Sequence, residues 1–160
     1  MIKIVGDINL ADWFFDVGSG IGTRIQKGED PFAELQRKTG DFWIGNLECV
    51  VSDVTDKKGT DAQQFVISPS ALKAVRPLDF YGVANNHAMQ HGAKAYDEVL
   101  RYLEDNNVQY AGPKEKKTSV IRYDNKSIAI SVFSQHKDVF SDNPRYWYMP
   151  EYNELEEEIS

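Results

Sequence analysis

The chain has 160 residues, 27% charged and 41% hydrophobic, with a formal net charge of -7; that is enough for one domain with a real core and too short for two comfortable ones. The acidic balance argues against a general binder of nucleic-acid phosphates or of anionic membrane surfaces, both of which need a basic face. The single cysteine, Cys49, excludes an internal disulfide and fits a reducing compartment.

The opening Met-Ile-Lys-Ile-Val-Gly-Asp runs directly into a strand, with no basic and apolar leader before it. No apolar run approaches the roughly 20 residues that span a bilayer. The stretch as written therefore reads as soluble and cytoplasmic, with no transmembrane segment; extracytoplasmic anchoring through a segment outside it stays open.

Ile2 to Val5 is the first predicted strand; Gly6 is expected to turn the chain and Asp7 emerges at the strand's end. Asp30-Pro31 reads as an N-cap followed by proline at the first helical position, with Phe32 and Leu35 on one face and Gly40 as the stop. Phe42 to Leu47 is the second strand and delivers Glu48. Ser52 to Gln64 has no period that would bury a face and is expected to be an exposed loop.

Ser68-Pro69 caps a short predicted helix with Leu72 and Val75 inward, Pro77 ends it, and Asp79 to Ala84 makes the third strand. Ala93, Tyr96, Leu100 and Leu103 then fall at helical spacing up to Asn106-Asn107. Val108 to Ala111 is a fourth strand closed by Gly112-Pro113, and Lys114 to Lys117 reads as a solvated basic run. Ser119 to Tyr123 and Ser127 to Phe133, joined by Asp124-Asn125-Lys126, form a hairpin. Glu151 to Ser160 begins a helical pattern that stops without a C-cap, which predicts a single domain, 1-160, truncated at its C-terminal side. The fold class is α/β, with a mostly parallel sheet, helices on its faces and an antiparallel hairpin toward the end.

Asp7, Glu48, Asn86 and His87 share one feature. Each lies at, or within three residues of, the carboxyl end of a predicted strand, and in a parallel sheet those ends converge. Carboxylate, amide and imidazole donors suit Mn, Fe, Zn or Mg, and the lack of thiolates argues against a structural zinc site. Two such ions would activate a water and clamp a phosphoryl group. Taken alone, Gly6-Asp7 is more often a turn, and Asn-Asn-His is as readily a left-handed asparagine with a helix-capping histidine as a ligand pair.

The remaining candidates have blander readings. His91 reads as solvated or capping, His136 matches no ligand motif, and Cys49 reads as a buried structural thiol. Trp13, Phe14 and Phe15 are candidates to roof a cleft near Asp7, and Trp43 belongs in the core. Tyr146, Trp147 and Tyr148 could stack on a sugar, although aromatic runs are more often packing.

Gly6-Asp7, Asn46-Leu47-Glu48 and Ala84-Asn85-Asn86-His87, followed by Gly92 with a helix and by Gly112, resemble the CapA/PgsA-type poly-gamma-glutamate capsule biosynthesis family. That family belongs to the calcineurin-like metallophosphatase superfamily. The resemblance spans about Ile2 to Gly112, with Phe65 and Pro69 between the second and third motifs. It implies a metallophosphatase-like sandwich with a di-metal centre, Asp7, Glu48, Asn86 and His87 at ligand positions, and His87 or a neighbouring histidine as proton donor to the leaving group. Two departures stand out: Gln90 replaces the family's usual aspartate, and no later histidine motif follows.

The implied function is a metal-dependent, phosphoesterase-like hydrolase acting on phosphoester or polyanionic, capsule-related substrates, with this chain supplying the first half of the site and inactive alone. Two alternatives stay open. One is a non-catalytic binding domain; the other is a homo-oligomer or a subunit completed by another chain.

Overall fold

In a computed structural model, which describes residues 1–150 and Leu155, the chain is a mixed α/β structure built on a four-stranded parallel sheet. Strands β1 (Ile2–Ile8), β2 (Phe42–Leu47), β5 (Phe80–Gly82) and β6 (Gln109–Ala111) lie in the order β1-β2-β5-β6. Between β2 and β5, β3 (Val50–Val51) and β4 (Val66–Ile67) make a separate parallel pair. The expected hairpin forms from β7 (Thr118–Tyr123) and β8 (Lys126–Ser131). Its two-residue turn puts Asp124 at φ 49° and Asn125 at φ 59°. Only a primed turn uses two positive φ values, and its twist matches that of the flanking strands.

Alternation along the strands gives the sheet two apolar faces. Trp43, Leu47, Tyr81, Val83 and Tyr110 point to the larger core, which the second helix, α2 (Ala93–Asp105), covers with Ala95, Tyr96, Val99 and Leu103. Phe80, Ala111 and the partly buried Phe42 and Ile44 point the other way, where Ile121, Ile128 and Ile130 of the hairpin cover them. Burying a large aliphatic or aromatic side chain contributes about 1.5–3 kcal/mol, so these two layers are the main source of cohesion.

Helix α2 ends as its sequence predicts. Asn107 takes a left-handed φ of 54°, the Val108 amide donates to the Leu103 carbonyl at 2.9 Å, and the Asn107 amide donates to Glu104 at 3.0 Å. Those two bonds form a Schellman cap, sealed by the buried pair Leu103 and Val108. One inward assignment fails: Ala93 is exposed, and Ala95 takes that face instead.

Two predicted elements are corrected. No helix forms over 30–40; the Asp30 carboxylate accepts the Phe32 amide at 2.9 Å, so a side-chain turn competes with helical bonding there. The first helix, α1 (Ile21–Gln26), lies earlier, and Asp12 caps it from outside. The Asp12 carboxylate accepts the Thr23 amide at 2.8 Å, the Thr23 hydroxyl at 2.5 Å and the Gly18 amide at 2.8 Å. Burial would raise its pKa, but those bonds outweigh burial and hold it below the carboxylate norm. The loop after β3 is irregular as expected, apart from a 3-10 turn at Gly59–Gln63, and a second 3-10 turn at Ala71–Ala74 stands where the short helix was predicted. The helical pattern at Glu151 to Ser160 lies, apart from Leu155, outside the described residues.

Candidate metal centre

Because β1, β2 and β5 run parallel, their carboxyl ends lie side by side, the edge at which open α/β sheets place ligands. Gly6 does not turn the chain there; β1 continues through it to Ile8. Between the pairs Ile4–Ile44 and Asp7–Asn46, however, β1 carries one residue more than β2. In an unbroken ladder Gly6 would face Asn46, and Asp7 would project to the core side with Leu47. The bulge reverses that side-chain parity, so Asp7 shares a face with Asn46, whose Nδ2 donates to Asp7 Oδ1 at 2.7 Å.

Asn46 passes the connection on. Asn85 Nδ2 donates to Asn46 Oδ1 at 3.1 Å and to the Leu47 carbonyl at 2.8 Å, while Asn85 Oδ1 accepts the His87 amide at 3.0 Å. Asn85 is buried and ties β2 to the loop after β5. Neither asparagine of that loop has a positive φ, so the left-handed reading does not hold. Asn86 is exposed, and its side chain has no hydrogen-bond partner among the described residues.

The loop is backed closely by the end of β6. At Gly112, with φ +130°, a Cβ would stand 2.7 Å from the Ala84 nitrogen, so only glycine lets the two segments approach.

His87 is half-buried, and its Nδ1 lies 2.8 Å from Gln90 Oε1. An amide oxygen only accepts, so Nδ1 carries a proton, and in the neutral tautomer the lone pair is on Nε2. Phe65 stacks on the imidazole with ring centroids 4.2 Å apart and planes 1° from parallel. Phe14 packs behind Phe65 at 5.2 Å and Trp13 at 6.5 Å, while Trp13, Phe14 and Phe15 remain 45%, 46% and 87% exposed. The expected aromatic roof is thus an exposed ring cluster reaching His87 through Phe65.

Glu48 is half-buried, and its carboxyl is held above the usual range, first by burial and then by the charge of Asp7, with His87 pulling the other way. The Glu48 carboxyl therefore lies within electrostatic reach of both Asp7 and His87. Two mutually repelling carboxylates with an available imidazole nitrogen are donors that a hard or borderline divalent cation would satisfy. The types fit such an ion, but the number falls short: among the described residues, no group of three or more His, Cys, Asp or Glu could hold one. Asp7 and His87 lie within electrostatic reach of Glu48, while Asn86 is exposed.

Other expectations resolve simply. His91 is neither solvated nor capping: it is 1% exposed and bonded at both ring nitrogens, because the loop before β4 folds over it. His136 is exposed. Cys49 is buried, accepts the Leu10 amide at 3.3 Å, and has its thiol pushed up to about 12 chiefly by burial, which makes it structural. Trp43, Tyr146 and Trp147 are buried, and Tyr146 and Tyr148 bridge to Pro113 and Ser134, so that run is packing. Asn46, Asn85, Phe65 and the Gln90 contact were not singled out as functional from sequence. Alternation along β2, which puts Asn46 opposite to Trp43 and Leu47, was the available signal for the first of them.

No helix among the described residues is long and apolar enough to cross a membrane. Two relatives from Sinorhizobium fredii (strain NBRC 101917 / NGR234), the uncharacterized proteins y4sH and y4uA, are each 25% identical to the chain over 122 residues. Those matches cover 68% of this chain and 26% of each relative, so the chain spans about a quarter of their length. Residues 2–158 match the model of the family described as "Bacterial capsule synthesis protein PGA_cap", and with the strand-end motifs inside that span the chain belongs to this family.

Proposed function

We propose that this chain supplies one wall of the metal centre of a hydrolase of the phosphoesterase type, working on phosphoester or polyanionic substrates in capsule synthesis. The observation that carries the reading is the bonded series Asp7–Asn46–Asn85–His87, which links a carboxylate on β1 to an imidazole after β5 across the intervening β2, while Gln90 engages only Nδ1 of His87. Asp7, Glu48, Asn86 and His87 would hold a divalent ion (Mn, Fe, Zn or Mg), with further donors from another part of the polypeptide or from a second chain. A bound ion supplies Lewis-acid activation of water and clamps the phosphoryl oxygens. In that setting Asn85 and Gln90 would orient donors, and His87, where it is not engaged as a ligand and has first taken up a proton at Nε2, would hand that proton to the leaving group.

The test is metal binding and turnover together. Calorimetric titration of the 160-residue chain with Zn or Mn is expected to show one weak site lost in Asp7→Ala and in His87→Ala, and the longer polypeptide is expected to hydrolyse a generic aryl phosphate with added metal. No metal binding by either form and no turnover would overturn the reading.

A second reading, a binding domain that retains the fold without catalysis, is favoured by Gln90 and by the lack of a three-donor cluster among the described residues. One weakly bound ion or none, with no turnover by the longer polypeptide, is its signature.

A further inference from the structure

We propose that His91 is a positioning residue that sets the orientation of the His87 imidazole by clamping the Gln64–Phe65 peptide group. Its bearing on chemistry rests on the metal-centre reading above; the positioning itself does not.

His91 is 1% exposed, and its Nε2 lies 2.7 Å from the Gln64 carbonyl oxygen. A carbonyl only accepts, so Nε2 carries the proton. Nδ1 then accepts from the Thr55 hydroxyl at 2.6 Å, while Thr55 Oγ1 itself accepts the Lys57 amide at 3.0 Å. Every donor has one acceptor, and a single neutral tautomer is selected.

The carbonyl that His91 holds belongs to the same peptide group as the Phe65 amide, and that amide donates to the Asp12 carbonyl at 2.8 Å. Both ends of the peptide plane are therefore fixed. The next torsion along the chain is unusual: Phe65 has φ 56°, a left-handed conformation that a bulky side chain rarely adopts. Such a conformer persists where its surroundings over-determine it. Here the Phe65 carbonyl is also held, by the Val50 amide at 2.7 Å. The strained backbone delivers the ring flat against His87, 1° from parallel.

His87 is thus held from two sides, by Gln90 in its ring plane and by Phe65 against its face. A histidine that only filled space could be replaced by phenylalanine without moving His87. One that acts as a clamp needs an N–H donor at that place.

The experiment is NMR of the histidine ring signals in the metal-free 160-residue chain, which has three histidines. In the wild type, the Phe65 ring current is expected to displace the His87 ring protons, and Phe65→Leu to abolish that displacement. His91→Phe is expected to bring His87 to the Phe65→Leu position with the fold retained by circular dichroism, whereas His91→Gln, which keeps a donor, preserves the wild-type shift. Thr55→Val, which removes only the hydroxyl at Nδ1, is expected to give a partial loss and decides the matter if His91→Phe does not fold. Unchanged His87 shifts in Phe65→Leu, in folded His91→Phe, or in Thr55→Val when that variant decides, overturn the proposal. Adding Zn separates the two ideas: His87 signals that ignore the metal, together with a His91 effect, defeat the metal reading and leave the clamp standing.

Discussion

Asp7 stands across from Asn46, not from Leu47, because β1 carries one more residue than β2 in the stretch before them. The carboxylate is on the site side of the sheet for that reason alone. Asn46→Leu keeps the volume but removes the donor to Asp7 and the acceptor for Asn85. Since Asn85 keeps its bond to the Leu47 carbonyl, the expected cost is about 1–2 kcal/mol. Urea denaturation measures it; an unchanged midpoint would show that the asparagine bridge contributes nothing.

Glu48 gives a prediction of opposite sign. Its folded-state pKa is raised by burial and by Asp7, so the folded form is favoured below the unfolded value of 4.5, and that advantage is lost as pH rises through the folded value. Near neutral pH the ionised carboxylate is a liability. Glu48→Gln is expected to raise stability by less than about 1 kcal/mol after solvent screening, a melting-temperature rise of about 1–3 °C, while weakening metal binding. Thermal melts at neutral pH and at about pH 4, where the gain should vanish, provide the check.

Gly112 controls how closely β6 backs the Asn85–His87 loop. A methyl group there would meet the Ala84 backbone at 2.7 Å and sit at φ +130°. Gly112→Ala is expected to destabilise the chain by about 1–3 kcal/mol and to displace Ala84 and the residues after it. Differential scanning calorimetry would register a drop of about 2–4 °C per kcal/mol in a chain of this size.

His91 should make stability fall with acid. Burial lowers its pKa below the usual 6.5, opposed by the Gln64 carbonyl and Asp56 and reinforced by Lys57. The unfolded chain therefore takes up a proton near 6.5 that the folded chain refuses, so stability is complete above that value and declines as pH falls through it toward the folded pKa. Urea midpoints at about pH 7.5 and about pH 5.5 are expected to differ in the wild type by more than in His91→Gln. Equal pH slopes in the two proteins would show that His91 protonates as freely folded as unfolded.

Much of the fold follows from local pattern. The period of Tyr96, Leu100 and Leu103, with Asn107 after them, fixes α2 and its cap, and Asp124-Asn125 fixes the hairpin turn. Phe42–Leu47 reads correctly because its apolar residues alternate between two faces that both need cover. Helix α1 does not read, because its cap comes from Asp12, eleven residues before Thr23. The helix expected over 30–40 reads wrongly, because a side-chain turn at Asp30 competes for the amide that helix formation requires.

For the site, the sequence by itself determined which donors exist and that they follow strands: Asp7, Glu48, Asn86 and His87 stand where apolar runs give way to polar residues. Tertiary structure alone decided which of them face one another. A bulge in β1 chose the face of Asp7, Asn46 and Asn85 joined two strand ends, and Phe65, Gln90 and His91 settled the imidazole. The physical reason is range. Periodicity and strand-end placement are properties of neighbouring residues, whereas register, side-chain parity and the partner of a buried polar group are fixed only when segments some 20 to 40 residues apart are brought into hydrogen-bonding contact.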